Sequence, residues 1–272
     1  MITGSVWIVS EDIGQHMRFK FPHLAFPAIA ALALSACSAP TDDGAIHDPY
    51  ESLNRVSHTF NKGADRVLVR PLSRAYGATV PSPVRRSLSQ VASHLDEPKS
   101  IANHVLQGDA ESAGHSFFRF LVNSTVGVAG LFDPAAGSFG LERRQTGFGD
   151  TLAAWGAREG AYLELPFAGP STERDFVGLI FDVATNPVSH ISSDVAVLNT
   201  ASTIPAALNV RYEFSDTVDS VLRDSADSYA QLRLSYIQNR KFNLNEQNPD
   251  GAGHDPFEDL YDEIYEELYD EF

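Results

Sequence analysis

The stretch Phe117-Phe118-Arg119-Phe120-Leu121-Val122 is apolar around most of a helical circumference, and such a helix is buried in a core or turned toward lipid. Gln107-Gly108-Asp109 forms a turn ahead of it, with Asp109 as the expected N-cap. Arg119 interrupts the apolar run. A charge among aromatics must be paired or must line a polar passage. A salt bridge to an acid elsewhere and a contact with phosphate both satisfy that condition.

The flanking sequence is helical in the same manner. Asp48-Pro49-Tyr50-Glu51 opens a helix, with Asp48 as N-cap, Pro49 at the first helical position and Glu51 completing a capping box. Tyr50, Leu53, Ser57, Phe60, Ala64 and Val67 follow at spacings of 3, 4, 3, 4 and 3, which puts them on one face. Gly63 weakens the last turn. Pro71 and Pro81-Ser82-Pro83 punctuate the chain. Ser82 caps and Pro83 starts a second helix carrying Val84, Leu88, Val91 and Leu95 on one side. Glu97-Pro98 is expected to end it and to begin a short helix through Leu106. His94 then reads as a helix-end histidine facing solvent.

Beyond the opening stretch, residues 127–149 are rich in glycine and interrupted by Asp133-Pro134, which predicts loop and hairpin. Tyr162-Leu163-Glu164-Leu165-Pro166-Phe167 is the one alternating, strand-like run. Ser171 is the expected cap of a helix with Phe176, Leu179, Ile180 and Val183 on its face, and residues 200–240 read as two more helices. No strand series able to form a larger sheet appears, so the fold class is mostly α.

The ends differ in kind. From Met17, two positive residues (Arg18 and Lys20) precede an apolar run from Leu24 to Leu34, in the order of a secretory signal. Residues 1–16 read as a leader ahead of it, with Met17 as the expected initiator. The run is shorter than the roughly 20 residues a spanning helix needs. It closes on Leu34-Ser35-Ala36-Cys37, which resembles a lipobox, and Cys37 is the sole cysteine of the chain. Residues 1–36 are thus an expected leader and signal peptide, and 37–47 a lipidated tether whose acyl chains are carried by Cys37. Ser38, rather than Asp, follows the cysteine and favours the outer membrane. At the far end, 245–254 form a linker before residues 255–272, DPFEDLYDEIYEELYDEF. That segment holds nine acidic and no basic residues, with apolar side chains at helical spacing, so it is expected to be an acidic amphipathic helix. An anionic helix is repelled by anionic lipid, so it is expected to dock on the body of the chain or on a partner with a basic rim.

Composition excludes several classes. With 20 Lys and Arg against 36 Asp and Glu, the formal net charge is −16, and no basic stripe is available for nucleic acid. A single cysteine allows no internal disulfide. Gly114-His115-Ser116 lacks the second glycine of a nucleophile elbow, because Phe118 stands there, so Ser116 is no candidate hydrolase serine. The nine histidines show no paired ligand spacing for zinc, and no phosphate-cradling glycine loop occurs. Arg143-Arg144 serves either as a headgroup contact or as a solvated turn.

Several stretches taken together carry a resemblance. Asp48-Pro49-Tyr50-Glu51-Ser52-Leu53-Asn54-Arg55, Phe60-Asn61, Val69-Arg70-Pro71-Leu72, Leu106-Gln107-Gly108-Asp109, Phe118-Arg119-Phe120-Leu121-Val122-Asn123-Ser124, Gly130-Leu131-Phe132-Asp133 and Gly147-Phe148-Gly149-Asp150 occur in the order of the MlaA/VacJ lipoproteins. The match is dense from Asp48 to about Asp182 and departs in region 186–210 and in the tail. It implies a domain over residues 48–244: a ring-shaped helical body lying in the inner leaflet of the outer membrane, at its periplasmic face, with an amphipathic channel. The implied role is removal of phospholipid misplaced in the outer leaflet, its transfer to a periplasmic carrier, and so maintenance of lipid asymmetry. A trimeric porin is the implied companion. No catalysis and no cofactor are implied apart from the acyl chains on Cys37. Within that picture Phe117, Phe118, Phe120 and Leu121 are expected to face acyl chains and Arg119 to meet phosphate. Gly127, Gly130, Gly137 and Gly140 are expected to form a mobile gate, because glycine permits φ > 0. A structural, porin-associated lipoprotein without lipid transport is the alternative.

Overall fold

The first helix shows how the chain chooses its inside. In the computed structural model, which describes residues 46–247, α1 (Glu51–Ala64) carries two stripes at helical spacing. The apolar one points outward: Leu53 is 67% exposed, and Val67, one turn beyond α1, is 78% exposed. The stripe through Asn54, His58, Asn61 and Asp65 points inward, with Asn54 at 4%. Asp48 does not cap α1 as the sequence suggests; Tyr50 holds the cap position without a side-chain bond. The Asp48 carboxylate turns instead toward the C-terminal helix, where it accepts from Tyr229 and Arg233, and it also takes the Asn54 amide at 2.9 Å.

Pro71 does not end this helix. A π turn, Asp65–Val69, widens the backbone, and α2 (Arg70–Thr79) continues from it. The wider turn lies where the proline ring would otherwise clash with the preceding turn's carbonyl. α3 (Ser82–Gln107) likewise runs through Pro98 as a single helix, although proline removes one of its backbone bonds. The turn ahead of Pro98 is held by α4 (Ala110–Thr125). Glu97 pairs with Arg119 there, and His94 Nε2 lies 3.2 Å from Ser124 Oγ. Gly108, at φ 78°, closes α3, and Asp109 caps α4 by accepting from the Ser112 N–H at 2.9 Å, as read from sequence.

Residues 127–149 contain no hairpin. They form a tight turn, a short helix α5 (Pro134–Phe139) capped by Asp133, and an extended run into α6 (Phe148–Ala154). The hairpin lies further on: β1 (Tyr162–Leu165) pairs antiparallel with β2 (Gly169–Thr172), from Tyr162 opposite Thr172 to Leu165 opposite Gly169. Ser171 is inside β2. Thr172 is the cap of α7 (Glu173–Thr185), its hydroxyl accepting from Asp175 N–H at 3.2 Å. A 3₁₀ turn (Pro187–His190) leads to α8 (Ser193–Glu213), then α9 (Ser215–Asp219), a second π turn (Ser220–Asp224) and α10 (Ser228–Gln247). The fold is mostly helical, and no described helix is long and apolar enough to cross a membrane. Cys37, the acidic tail and residues 248–254 of the expected linker lie outside the described residues, while 245–247 continue α10 as helix rather than linker.

Helices α2 and α3 pack against α8. Arg85 locks this corner: its Nη1 donates to the carbonyls of Gly77 and Val80, its Nε donates to Asn209 at 2.9 Å, and it stacks over the Tyr212 ring. A Cβ at Gly77 would run into that ring, whereas Gly63 faces open space. Gly77→Ala is therefore expected to destabilise by about 1–3 kcal/mol through overpacking. Gly63→Ala is expected to stabilise by about 0.5–1 kcal/mol through helix propensity. Opposite shifts of the thermal midpoint by circular dichroism would bear this out, and shifts of one sign would contradict it.

Candidate lipid-binding surface

The sidedness of α1 extends to the whole described chain. Among the described residues, 23 polar or charged side chains are buried against eight apolar ones, while 32 large apolar side chains are exposed. In α4 the buried set is Ser112, Ser116, Arg119 and Asn123, again at helical spacing, with Ala113 beside it. Phe117, Phe118 and Leu121 face outward, Phe118 at 58%. Leaving such a side chain in water forgoes roughly 1.5–3 kcal/mol each. In hydrocarbon there is no such cost, and there polar groups must find partners inside the protein. The opening stretch of the sequence is thus a helix with its aromatics outside and its charge inside.

Arg119 is 3% exposed. Its Nε lies 3.0 Å from Glu97 Oε1, its Nη2 lies 3.0 Å from Asp133 Oδ2, and its Nη1 donates to the Leu141 carbonyl. Every guanidinium nitrogen is engaged by protein, so of the two options open for a charge in an apolar run, this geometry is the salt bridge. Asp133 also accepts from Asn123 at 2.8 Å and from the Ala136 N–H at 3.2 Å. One arginine therefore pins the whole turn and short helix after α4. His94 does not face solvent; it is buried in mid-helix and stacks on Phe120 with ring centroids 4.8 Å apart. Phe120 is half-buried by that contact. Gly127 and Gly130 sit where a Cβ would strike Asn123 and His94 respectively, while Gly137 and Gly140 face open space. Arg143 is partly buried against Asp96 at 2.7 Å, while Arg144 stands in solvent beside an exposed Glu111 at 3.1 Å, as a solvated turn requires.

The motif residues near the N-terminus form a clamp on the hairpin. Asn54 Nδ2 donates to the Tyr162 carbonyl at 3.0 Å, and its Oδ1 accepts from the Glu164 N–H at 2.9 Å. Two turns later Asn61 does the same for Leu165 and Phe167, at 2.9 and 2.8 Å. The two amides act as a surrogate neighbouring strand for β1. Between them His58 Nδ1 lies 2.9 Å from Glu164 Oε1 and Nε2 lies 2.9 Å from Ser228. Phe60 meets Phe167 edge-on at 4.9 Å. Phe167 holds φ 63° at the hairpin tip and is 81% exposed. Arg55 forks onto Asp227, at 2.8 and 3.2 Å, and holds its carboxyl at about 2. Pro49 lies in the turn before α1. His58, Glu164, Tyr229 and Arg233 were not singled out from sequence. The available signal was the polar stripe 54, 58, 61, 65, which has the same period as the apolar one.

A cavity of about 440 Å³ opens beside this clamp. Val69, Phe167, Val218, Val221, Leu222 and Leu232 give it apolar walls, and His58, Lys62, Asp65 and Glu164 give it a polar side. Among the described residues no His, Cys, Asp and Glu group is arranged to hold a metal.

A family model described as MlaA lipoprotein matches residues 46–243. The chain belongs to the MlaA lipoprotein family. The intermembrane phospholipid transport system lipoprotein MlaA of Escherichia coli (strain K12) is 32% identical over 254 residues, 90% of this chain and 99% of the relative. A protein of the same name from Haemophilus influenzae is 30% identical over 232 residues, 80% and 88% of the two chains. An uncharacterized protein of Rickettsia felis is 34% identical over 200 residues, 72% and 77%. A solved structure described as "Structural basis for maintenance of bacterial outer membrane lipid asymmetry" aligns with a TM-score of 0.63 at 31% identity, covering 73% of this chain and 99% of that one.

Two outcomes follow from the buried ion pairs. Arg119→Leu leaves Asp133 without its cation and Glu97 with only the longer Arg143 contact at 3.8 Å, and is expected to destabilise by about 3–5 kcal/mol, read as lost protease resistance in detergent. An unchanged digestion rate would contradict the framework role. Burial works to raise the carboxyls of Asp133, Asp175 and Asp219, yet hydrogen bonds, chiefly from Asn123, Arg240 and Arg211 respectively, hold all three below the ordinary 3.8. Their stabilising contribution is therefore complete above the ordinary value and is lost as pH falls through the depressed ones. From these three groups the thermal midpoint is expected to drop as the buffer is made more acidic than about their ordinary value.

Proposed function

We propose that this chain lies in the inner leaflet of the outer membrane, anchored by acyl chains on Cys37. There it takes phospholipid misplaced in the outer leaflet and hands it to a periplasmic carrier. The observation that carries the reading is the inverted polarity: an apolar exterior over a buried ionic frame suits a body whose solvent is lipid. The relatives' names, which specify intermembrane phospholipid transport, point the same way. The ring-shaped body, its amphipathic channel and a trimeric porin companion belong to this proposal.

A phospholipid needs a polar route for its head and an apolar one for its tails. The 440 Å³ cavity offers both kinds of wall. Phe117, Phe118 and Leu121 are suited to contact acyl chains on the outside of α4, with Phe120 and Arg119 holding that helix in place from within. In this reading the glycine-rich stretch from Gly127 through Gly130, Gly137 and Gly140 acts as the gate, with Arg119 as its anchor through Asp133 and Leu141. No bond is made or broken. Transport consists of moving an intact lipid.

Cells lacking the chain are expected to expose phospholipid on the outer leaflet, measured as susceptibility of intact cells to an external phospholipase. The wild-type chain should restore protection, and a Phe117→Glu/Phe118→Glu form should restore it poorly. Equal protection with and without the chain would sink the transport reading and leave a structural lipoprotein. The apolar exterior also predicts that a Cys37→Ser form still partitions into outer membranes, and full solubility would return residence to the acyl chains alone.

A further inference from the structure

Four arginines converge on two carboxylates where α2, α8 and α9 meet. Asp219 Oδ2 accepts from Arg70 Nη2 at 2.6 Å and from Arg74 Nη2 at 3.4 Å. Asp219 Oδ1 takes Arg211 at 2.6 Å and Arg223 at 3.0 Å. Asp65 takes Arg211 through a two-pronged contact at 2.7 and 3.0 Å, and Arg223 at 3.2 Å. The other ionic clusters of the described chain are balanced or nearly so. Asp150 and Asp175, for example, share Arg240, with Arg174 beside them. Here the ion pairs of four guanidinium groups end on two aspartates, a surplus of two positive charges in a chain whose net charge is −16.

The surplus is built into the site. Arg211 is 8% exposed, and its Nη1 is buried without a hydrogen-bond partner, as is Nε of Arg70. Arg74 stands more than half exposed at the edge of the cluster, with Arg70 and Arg223 partly exposed behind it. Exposed apolar side chains share the helix faces of these cations: Val67 three residues before Arg70, and Phe214 three residues after Arg211. Asp65, the carboxylate that holds Arg211 and Arg223, also lines the 440 Å³ cavity, together with Val69, Val218, Val221 and Leu222 from the same segments. Planar guanidinium groups bind phosphate oxygens through paired charge-assisted hydrogen bonds. Basic pockets between apolar helix faces suit a lipid headgroup.

We infer that Arg70, Arg74, Arg211 and Arg223 form a phosphate-binding site for a phospholipid head, whose acyl chains extend over the neighbouring apolar surface that includes Val67 and Phe214. The inference rests on the reading that this chain handles phospholipid, and it specifies where the head is held. Asp65 and Asp219 keep the arginines together when no lipid is bound. Arg74, with its long and exposed contact to Asp219, is the group free to turn onto the phosphate. The apolar surface beside the arginines favours an esterified lipid phosphate over the free ion.

The test is lipid retention by the full-length, acylated protein in detergent. Phosphatidylglycerol is titrated in and followed by native mass spectrometry, with inorganic phosphate as a parallel arm. Arg74→Gln removes little that supports the fold, and Arg70→Gln/Arg74→Gln is checked by its thermal midpoint. The double variant is expected to bind phosphatidylglycerol about tenfold more weakly or worse, Arg74→Gln less severely, and Arg74→Lys between Arg74→Gln and wild type, because it keeps the charge but loses the paired geometry. If wild type binds the lipid and Arg74→Gln and the double variant bind it equally well, the arginine site is wrong while the transport reading stands. If wild type retains no phospholipid at all, the transport reading fails with it. Displacement of bound lipid by inorganic phosphate at equal concentration would overturn the lipid assignment in favour of a free anion.

Discussion

A charge enclosed by protein persists as a charge only if a counter-charge and hydrogen-bond acceptors meet it there, and this chain depends on that rule. Arg119 has its nitrogens on Glu97, Asp133 and the Leu141 carbonyl. Around it the aromatic side chains of α4 are free to face outward. Were the arginine outward and the phenylalanines inward, the helix would suit water. The pairing of buried charges therefore decides which solvent the exterior tolerates.

The same device recurs wherever distant parts of the chain meet. Asp48 joins Arg233 and Tyr229, Arg55 joins Asp227, Arg240 joins Asp150 and Asp175, and Arg211 joins Asp65 and Asp219. These links tie the N-terminal helices to the C-terminal ones across most of the described sequence. The apolar core is small by comparison, built on Tyr162, Tyr229 and Ile237. Cohesion thus comes from directional polar contacts more than from apolar area. Such contacts are specific about geometry, and each is costly to leave half-made. A body held this way can offer apolar surface on its outside without losing a defined interior.

Much of the local structure was legible in the residues. The cap at Asp109, the αL glycine at 108, the helix through Phe117–Val122 and the strand at Tyr162 are as their local chemistry dictates. Errors arose where a distant partner overrode a local signal. Pro98 reads as a helix end, but Glu97 and His94 ahead of it are bound to α4, and Asn103 beyond it is bound to Thr151 and Asp182. Asp48 reads as an N-cap, but Tyr229 and Arg233, some 180 positions away, claim its carboxylate. Pro71 reads as a break, and a π turn absorbs it. The clamp of Asn54 and Asn61 on β1 was hidden because an asparagine on a helix face gives no hint of which backbone it will meet.

The sequence by itself determined the period and the two faces of each helix, because spacing along a helix is a local property. It also carried the motifs that mark the family. Which face turns inward was decided only by the tertiary structure. The stripe Leu53, Phe60, Val67 and the stripe Asn54, His58, Asn61, Asp65 have equivalent spacing, and periodicity does not distinguish inside from outside. The choice needs the partners Glu164, Ser228, Arg211 and Arg223, brought in from more than a hundred residues away, to satisfy the polar stripe. Once they do, the apolar stripe is left for the surroundings.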